Sequence, residues 1–538
     1  GTAAKLTALV DPATSQIRKL VASGSVRLAV QKATDGGDRR LFAQTAQVNF
    51  GPTGKAQTGF ASGQVRMVYV PTAGARKEPQ PCSEKFGQDP LTRRFAPPSP
   101  PRGRGCNTHL FMLRGVAERR DRPPFRQLGA RVLTASKLTF TFQAGGNVKE
   151  AHTIGPGKIV SMPLRPGADR QIITAGQFLA SFDSMGRMVL LLGISNTKVL
   201  DQASPDAPPG RIPRESTSQN LKAVFDPSTG SAEVVTQTGM FQFRQGGLRA
   251  SAHASEYHPG TQEMTLSGQP VIWDPDGRIH AEHMEFNLSS GLAHGWGNVQ
   301  ASEFATQSAR PDPKPSQDKQ AAPLIILSDR VLDNRNTRFT RFEGHVRAWD
   351  GPDVLQSSSL DLYQKARRAS SGFGVVTSLL SSASLTGSGG SGKKSGHSQP
   401  RAEQPTVIRA DHLVYFDVRE RAVYRGHVQV TSGNTTLHSN SLNVSFSKAA
   451  GGEPVLSRAV AVGDVIVTQP GRRATGQQAD YFAASGKIVL TGGPPAIYDE
   501  NQGFLTARRL TFSVHDASLF ADGGTKAPAL SKRRIQRQ

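Results

Sequence analysis

The residues best suited to chemistry stand together at His280, Glu282, His283 and Glu285, two imidazoles and two carboxylates within six positions. Imidazole and carboxylate are common ligands of zinc and related ions, so the group reads first as a metal site. Alternation argues against it. On an extended strand His280 and Glu282 point to one face and His283 and Glu285 to the other, so four ligands do not converge without a bulge. His412 holds the position of His283 in another copy of the same phrase, which suits a recurrent exposed polar site. The chain has no Gly-rich phosphate loop before a helix, no Gly-x-Ser-x-Gly elbow and no Cys-x-x-Cys. No catalytic residue, metal ligand or cofactor is assigned, and an enzyme is not expected. The two cysteines, Cys82 and Cys106, flank a Pro/Arg-rich stretch. A disulfide would close that loop in an oxidising compartment; two free thiols are the alternative.

The elements that carry these residues are strands, and they repeat. One phrase is a small residue with apolar residues three and five positions later: Ala410, Leu413, Tyr415; Ser439, Leu442, Val444; Gly476, Ala479, Tyr481; Ala507, Leu510, Phe512. The other is Gly-x-Val or a near relative, at Gly426–Val428 and Gly463–Val465. Alternation gives each phrase one apolar face. The spacing of three after the small residue breaks that alternation, which marks a bend where a rolled sheet turns a corner. Ala3, Leu6, Ala8 before Asp11-Pro12 match Ser218, Leu221, Ala223 before Asp226-Pro227. Asp11, Asp183, Asp226 and Asp417 close strands as turn residues. Gly239, Gly268 and Gly297 follow each other at intervals of 29, as do Gly463 and Gly492. A two-strand unit that cannot bury its own face must stack on its neighbours.

Composition agrees. The chain has 538 residues, 36% apolar, with 55 Gly and 35 Pro, which suits many short strands joined by turns. No run approaches the roughly 18 apolar residues of a membrane span. The sequence starts with Gly1 rather than Met and has no charged-then-apolar leader, so a signal peptide or anchor is expected to have been removed or never present. A net charge of +23 favours acidic partners without choosing among nucleic acid, anionic lipid and acidic glycan.

The expected fold is all-β: repeated short antiparallel strands rolled into modules stacked end to end. The first module spans 1–202 with a disordered insertion at 77–107; a second spans 217–365. A Ser/Gly/Lys-rich flexible linker is expected over 366–405, in which 375–380 forms a short helix or nothing. A third module covers 406–520, before a disordered basic tail at 521–538.

Ala410–Phe416 with Tyr424–Val430, then Ala459–Thr468, Gly476–Phe482 and the Ile488-Val-Leu-Thr-Gly-Gly-Pro-Pro run, resemble the OstA-like domain of lipopolysaccharide transport proteins of the LptA type. The likeness is clearest over 405–515, less marked over 215–365 and faintest over 1–75 and 130–200, where an LptC-type segment is the alternative. The resemblance implies that the rolled modules are β-jellyrolls (β-tacos) and that the protein is a periplasmic, lipopolysaccharide-binding bridge. It would carry lipid through an apolar β-jellyroll groove from inner to outer membrane during outer-membrane assembly. Its partners would be lipopolysaccharide, the other transport components at both membranes and further copies joined end to end, with an inner-membrane anchor outside this chain. The expected groove residues are Leu413, Tyr415, Val428, Val430, Leu442, Val444, Val465, Val467, Leu510 and Phe512. Arg425, Arg472, Arg473, Arg508 and Arg509 would contact lipid phosphates at its mouth. A structural or adhesive β-solenoid without cargo is the alternative. A nucleic-acid binder would need aromatics on an exposed basic face, whereas Tyr415, Tyr481 and Phe512 share positions with Leu and Val.

Overall fold

The computed structural model describes residues 1–30, 38–70, 128–163, 169–202, 212–303, 323–379, 405–448, 454–501, 503–513, 518–524 and 528–532. Every regular element among them is a strand, and all belong to one antiparallel sheet from Lys5–Val10 to Leu530–Lys532. The chain runs as a meander of rungs, each hydrogen-bonded to the rung before and after it.

Each rung bends once near its middle. In the rung Arg421–Ser432 the register breaks between Arg425 and Val428, where Gly426 (φ 78) and His427 (φ 43) both take left-handed backbone. The same pair of conformations recurs at Gly344–His345, Gly297–Asn298, Gly239–Met240, Gly63–Gln64 and Gly24–Ser25. Glycine is favoured there because only it takes that region without a Cβ penalty. Directly across the ladder sits the residue after each small one: Asp411 donates its N–H to the Gly426 carbonyl at 3.0 Å, and Glu282 donates to Gly297 at 2.8 Å. The two sequence phrases are thus the two sides of one corner, stacked from rung to rung.

The corner folds the ladder into two facing sheets with two open rims. Along the turn rim the connections at 11–16, 51–55, 183–187, 226–231, 288–291 and 335–338 are short. At four of them the residue at the strand end accepts a backbone N–H from two positions on: Ala13 to Asp11 (2.9 Å), Met185 to Asp183 (3.0 Å), Ser228 to Asp226 (2.7 Å) and Ser289 to Asn287 (3.0 Å). This bears out the turn role of the first three aspartates. Asp417 works differently, accepting from Arg367 Nε at 2.7 Å in the turn of the adjacent rung.

Every connection at 31–37, 71–127, 164–168, 203–211, 304–322 and 380–404 leaves and rejoins at the other rim, here the loop rim, between rungs that pair directly. Tyr69 opposes Arg131 across residues 71–127. The insertion with Cys82 and Cys106 therefore falls outside the described residues.

Two expected boundaries differ. Residues 368–371 and 375–379, at the start of the expected linker, are strands; Val375 is buried and pairs with Ala410, so 375–379 is neither helix nor unstructured. Gly374 (φ 76) before Val375 is the Gly-headed corner phrase inside a Ser/Gly-rich stretch. The rest of that linker, from 380, lies outside the described residues. In the expected tail, Leu519–Asp522 and Leu530–Lys532 are strands that pair with Arg509–Ser513 and Gly503–Thr506.

The Asp226 carboxyl is held below its ordinary value, chiefly by the Ser228 hydroxyl and backbone bonds. A lowered folded pKa contributes stability that is full above the unfolded value near 4 and lost as pH falls through the folded one. Asp226→Ala should therefore lower stability by about 1 kcal/mol at pH 7 and flatten the loss below pH 4. Denaturant melts at pH 7 and pH 2.5 check both; parallel acid slopes in variant and parent would refute the linkage.

Candidate functional site

The space between the two sheets is the candidate site. In the C-terminal part, one sheet contributes Leu413, Tyr424, Leu442, Val444, Leu490 and Leu510 to a shared core, and the other contributes Ile408, Val428, Val430, Val465, Val467 and Ile497. All ten expected groove residues lie on this inner face, eight of them buried; Tyr415 and Phe512 are partly buried against the same core. Burial also pushes the Tyr424 phenol up to about 12.

Within this core lies an apolar cavity of about 70 Å³. Val430, Leu442, Val444 and Val467 line it; the other six expected residues pack around it without reaching it. Ile408, Leu437, Leu456, Tyr481, Ile488 and Leu379 also line it and were not among the expected set. Tyr481 stands at the phrase position of Tyr415, and Ile408 lies two before Ala410 on the same face, so both were within reach of the pattern. Leu379 lies in the stretch expected as linker. A volume of 70 Å³ is well under the ~300–1,000 Å³ of a pocket for a drug-sized ligand. In this state the two sheets are filled by their own side chains.

The interior is not apolar throughout. Between the core around Phe178 and Phe225 and the core around Phe241 and Phe286, the buried positions are Thr197, Ser218, Gln237 and Ser255. Gln237 donates to Ser218 Oγ at 3.1 Å and accepts from Ser216 at 2.7 Å, and Thr197 donates to the Ser218 carbonyl at 3.1 Å. These bonds satisfy groups whose burial alone would be costly.

The five arginines do not form one mouth. Arg425, Arg473 and Arg509 alternate with buried Tyr424, Ala474 and Leu510, which places them on the outer face, and Arg508 stands exposed at a corner. Arg472 alone stands at an inner-face register position on the rim. Its Nε donates to Asp499 Oδ2 at 2.9 Å, and its Nη2 forms an ion pair with the same oxygen at 2.9 Å.

The His/Glu group is also resolved by the corner. Because Ala281 and Glu282 occupy the bend, parity breaks between the histidines, and His280, Glu282, His283 and Glu285 all alternate with buried Ala281, Met284 and Phe286. They share the outer surface rather than opposite faces, divided between two sheets, with Glu282 bound by Asn298. His283 stacks on Trp296 at 5.5 Å, and His412 lies against Phe373 at 4.5 Å, so the recurrent site is an exposed imidazole on an aromatic ring. Among the described residues no group of three or more His, Cys, Asp or Glu is placed to hold a metal ion.

Residues 407–517 match the family model described as the LptA/(LptD N-terminal domain) lipopolysaccharide transport protein. This segment is an LptA-type domain. An uncharacterized protein of Rhizobium meliloti (strain 1021) is 27% identical over 157 residues, covering 28% of this chain and 83% of that protein. A crystal structure of LptH, the LptA homologous periplasmic component of the lipopolysaccharide transport device from Pseudomonas aeruginosa, is 24% identical, with 25% of this chain and 97% of that chain covered. Its TM-score of 0.21 is too low to carry an argument about shape. The LptA-type domain holds the apolar cavity, and the ladder continues from it into the preceding rungs with the same corner: Ser328–Asp329 opposes Gly344–His345 as Ala410–Asp411 opposes Gly426–His427. Even the side-chain bond repeats, with His345 Nδ1 and His427 Nδ1 each 2.8 Å from the facing aspartate.

Proposed function

We propose that the chain is a periplasmic lipopolysaccharide-binding bridge whose two-sheet interior takes up acyl chains and passes lipid from the inner toward the outer membrane. The observation that carries this reading is the match of residues 407–517 to a lipopolysaccharide transport family, on the segment whose interior is the most continuously apolar. Each buried CH₂ of an acyl chain is worth about 0.8 kcal/mol, so a dozen would contribute roughly 10 kcal/mol before the cost of parting the sheets. An exposed ion pair gives ~0–1 kcal/mol. Affinity therefore resides between the sheets and not on the basic outer face. Partners on this reading are lipopolysaccharide and the transport components at either membrane. End-to-end assembly would use the outer edges of Lys5–Val10 and of the last two strands, where Leu6 and Phe520 are each 64% exposed.

A structural β-solenoid without cargo is the second reading. The small cavity and the buried Thr197–Ser218–Gln237 bonds favour it, since both describe an interior complete by itself. Mass spectrometry of lipid co-purifying from a lipopolysaccharide-producing host separates the two. Near-stoichiometric lipopolysaccharide is expected; protein that stays lipid-free after purification and after incubation with lipopolysaccharide would leave the solenoid.

A further inference from the structure

At the loop rim of the LptA-type domain the inner face changes character over one register step. Leu437 is followed at the rim by Thr435, Val467 by Gln469, Ala474 by Arg472, and Ile497 by Asp499, each two positions along the same strand and so on the same face. With Asn434, Gly471 and Asn501 these residues enclose a polar pocket of about 300 Å³. Thr435 lines both this pocket and the apolar cavity, so the two spaces adjoin.

The pocket's charge is internally satisfied. Arg472 is hydrogen-bonded and ion-paired to Asp499 Oδ2, and Asp499 Oδ1 accepts the Asn501 N–H at 2.9 Å. The other polar side chains that line the pocket are uncharged: the amides of Asn434, Gln469 and Asn501 and the hydroxyl of Thr435. Gln469 Nε2 donates to Thr435 Oγ1 at 3.0 Å, a bond that uses neither the Gln469 amide oxygen nor the Thr435 hydroxyl hydrogen. A phosphate would compete with Asp499 for Arg472 and lie close to that carboxylate. Hydroxyl groups, which both donate and accept, match amides and a hydroxyl without disturbing the pair.

We propose that this pocket binds the uncharged sugar hydroxyls of an amphiphile whose hydrocarbon enters the adjoining cavity, so that the rim reads a saccharide and not a phosphate. The assignment rests on the lipid-uptake reading above and adds head-group recognition to it. The probes are three detergents of equal dodecyl chain, each used below its micellar concentration: a maltoside, a phosphate and an amine oxide. Binding is followed by titration calorimetry on the full chain.

The parent protein should bind the maltoside at least tenfold more tightly than the other two. Gln469→Leu and Asn434→Ala should each reduce that preference by about three- to tenfold while leaving amine oxide binding unchanged. Equal affinity for all three would overturn the sugar site and leave tail uptake standing. Tighter binding of the phosphate would overturn it in favour of an anion site. If none of the three binds, the lipid-uptake reading fails and the sugar site with it. Should Gln469→Leu fold poorly, Asn434→Ala, at an exposed turn residue, carries the test alone.

Discussion

Val467→Asp should abolish lipid capture. Val467 is 6% exposed, lines the apolar cavity and faces Leu442 and Tyr481 from the opposite sheet. A buried polar group without a partner costs about 1–3 kcal/mol by mutational measure, and an ionised one more, so the introduced carboxylate either stays protonated or draws water between the sheets. Either outcome removes a hydrocarbon surface, and lipopolysaccharide capture should fall by more than tenfold at pH 7. The raised pKa makes the defect largest at high pH and smaller as pH falls, because the neutral acid costs less than the anion. Photo-crosslinking side chains at 415, 444 or 467 should capture lipopolysaccharide, whereas those at 414 or 466, on the outer face, should not. Equal crosslinking from both faces, or undiminished capture by Val467→Asp, would remove the interior as the lipid site.

Gly426→Val should be the most damaging backbone change in the LptA-type domain. At φ 78 any side chain is strained, a β-branched one most of all, and such strain costs on the order of 1–3 kcal/mol. An added Cβ would also run into the Asp411 carboxylate and break its bond to His427. The two effects together are worth about 2–4 kcal/mol. Since the rung Arg421–Ser432 pairs with both neighbours, the loss should appear as a fall of roughly two orders of magnitude in amide-exchange protection across Thr406–Ala410 and Thr435–Lys448. Gly145→Ala, where nothing lies within 4 Å of an added Cβ, should change protection little. Equal effects from the two substitutions would show that the corner is not what holds the rungs in register.

Much of this architecture was legible because its signals are local. Alternation at Val428, Val430, Val465 and Val467 identifies strands and their apolar face, and those residues are buried where the pattern puts them. The parity break after Ala410 and Ser439 correctly marks a bend. What escaped is what depends on pairing across the ladder. The small residue and the Gly-headed phrase read as two separate motifs, although Asp411 and Gly426 are hydrogen-bonded partners. Charge alone points the arginines to a groove mouth, whereas the corner turns Arg425 and Arg509 outward. The rim pocket draws Thr435, Gln469, Arg472 and Asp499 from four strands, and no spacing along the chain announces that they meet. At 366–379, Ser- and Gly-rich composition masked a rung that Gly374-Val375 signals in the ordinary way.

The one-sided placement of the long connections governs how such a chain can grow. At the turn rim, Asp11, Asp226 and Asn287 are each bonded to the backbone two positions on, and residues inserted there would break those bonds and shift the register of two rungs. At the loop rim the flanking rungs pair directly, as Tyr69 does with Arg131 across residues 71–127, so added length costs only loop-closure entropy. That cost rises by about 0.6 kcal/mol for each doubling of a loop. The loop rim can therefore lengthen and diversify at little thermodynamic expense while the opposite rim keeps a constant profile. Two chains of this type could share an unchanged rail along one side and still present wholly different lips along the other.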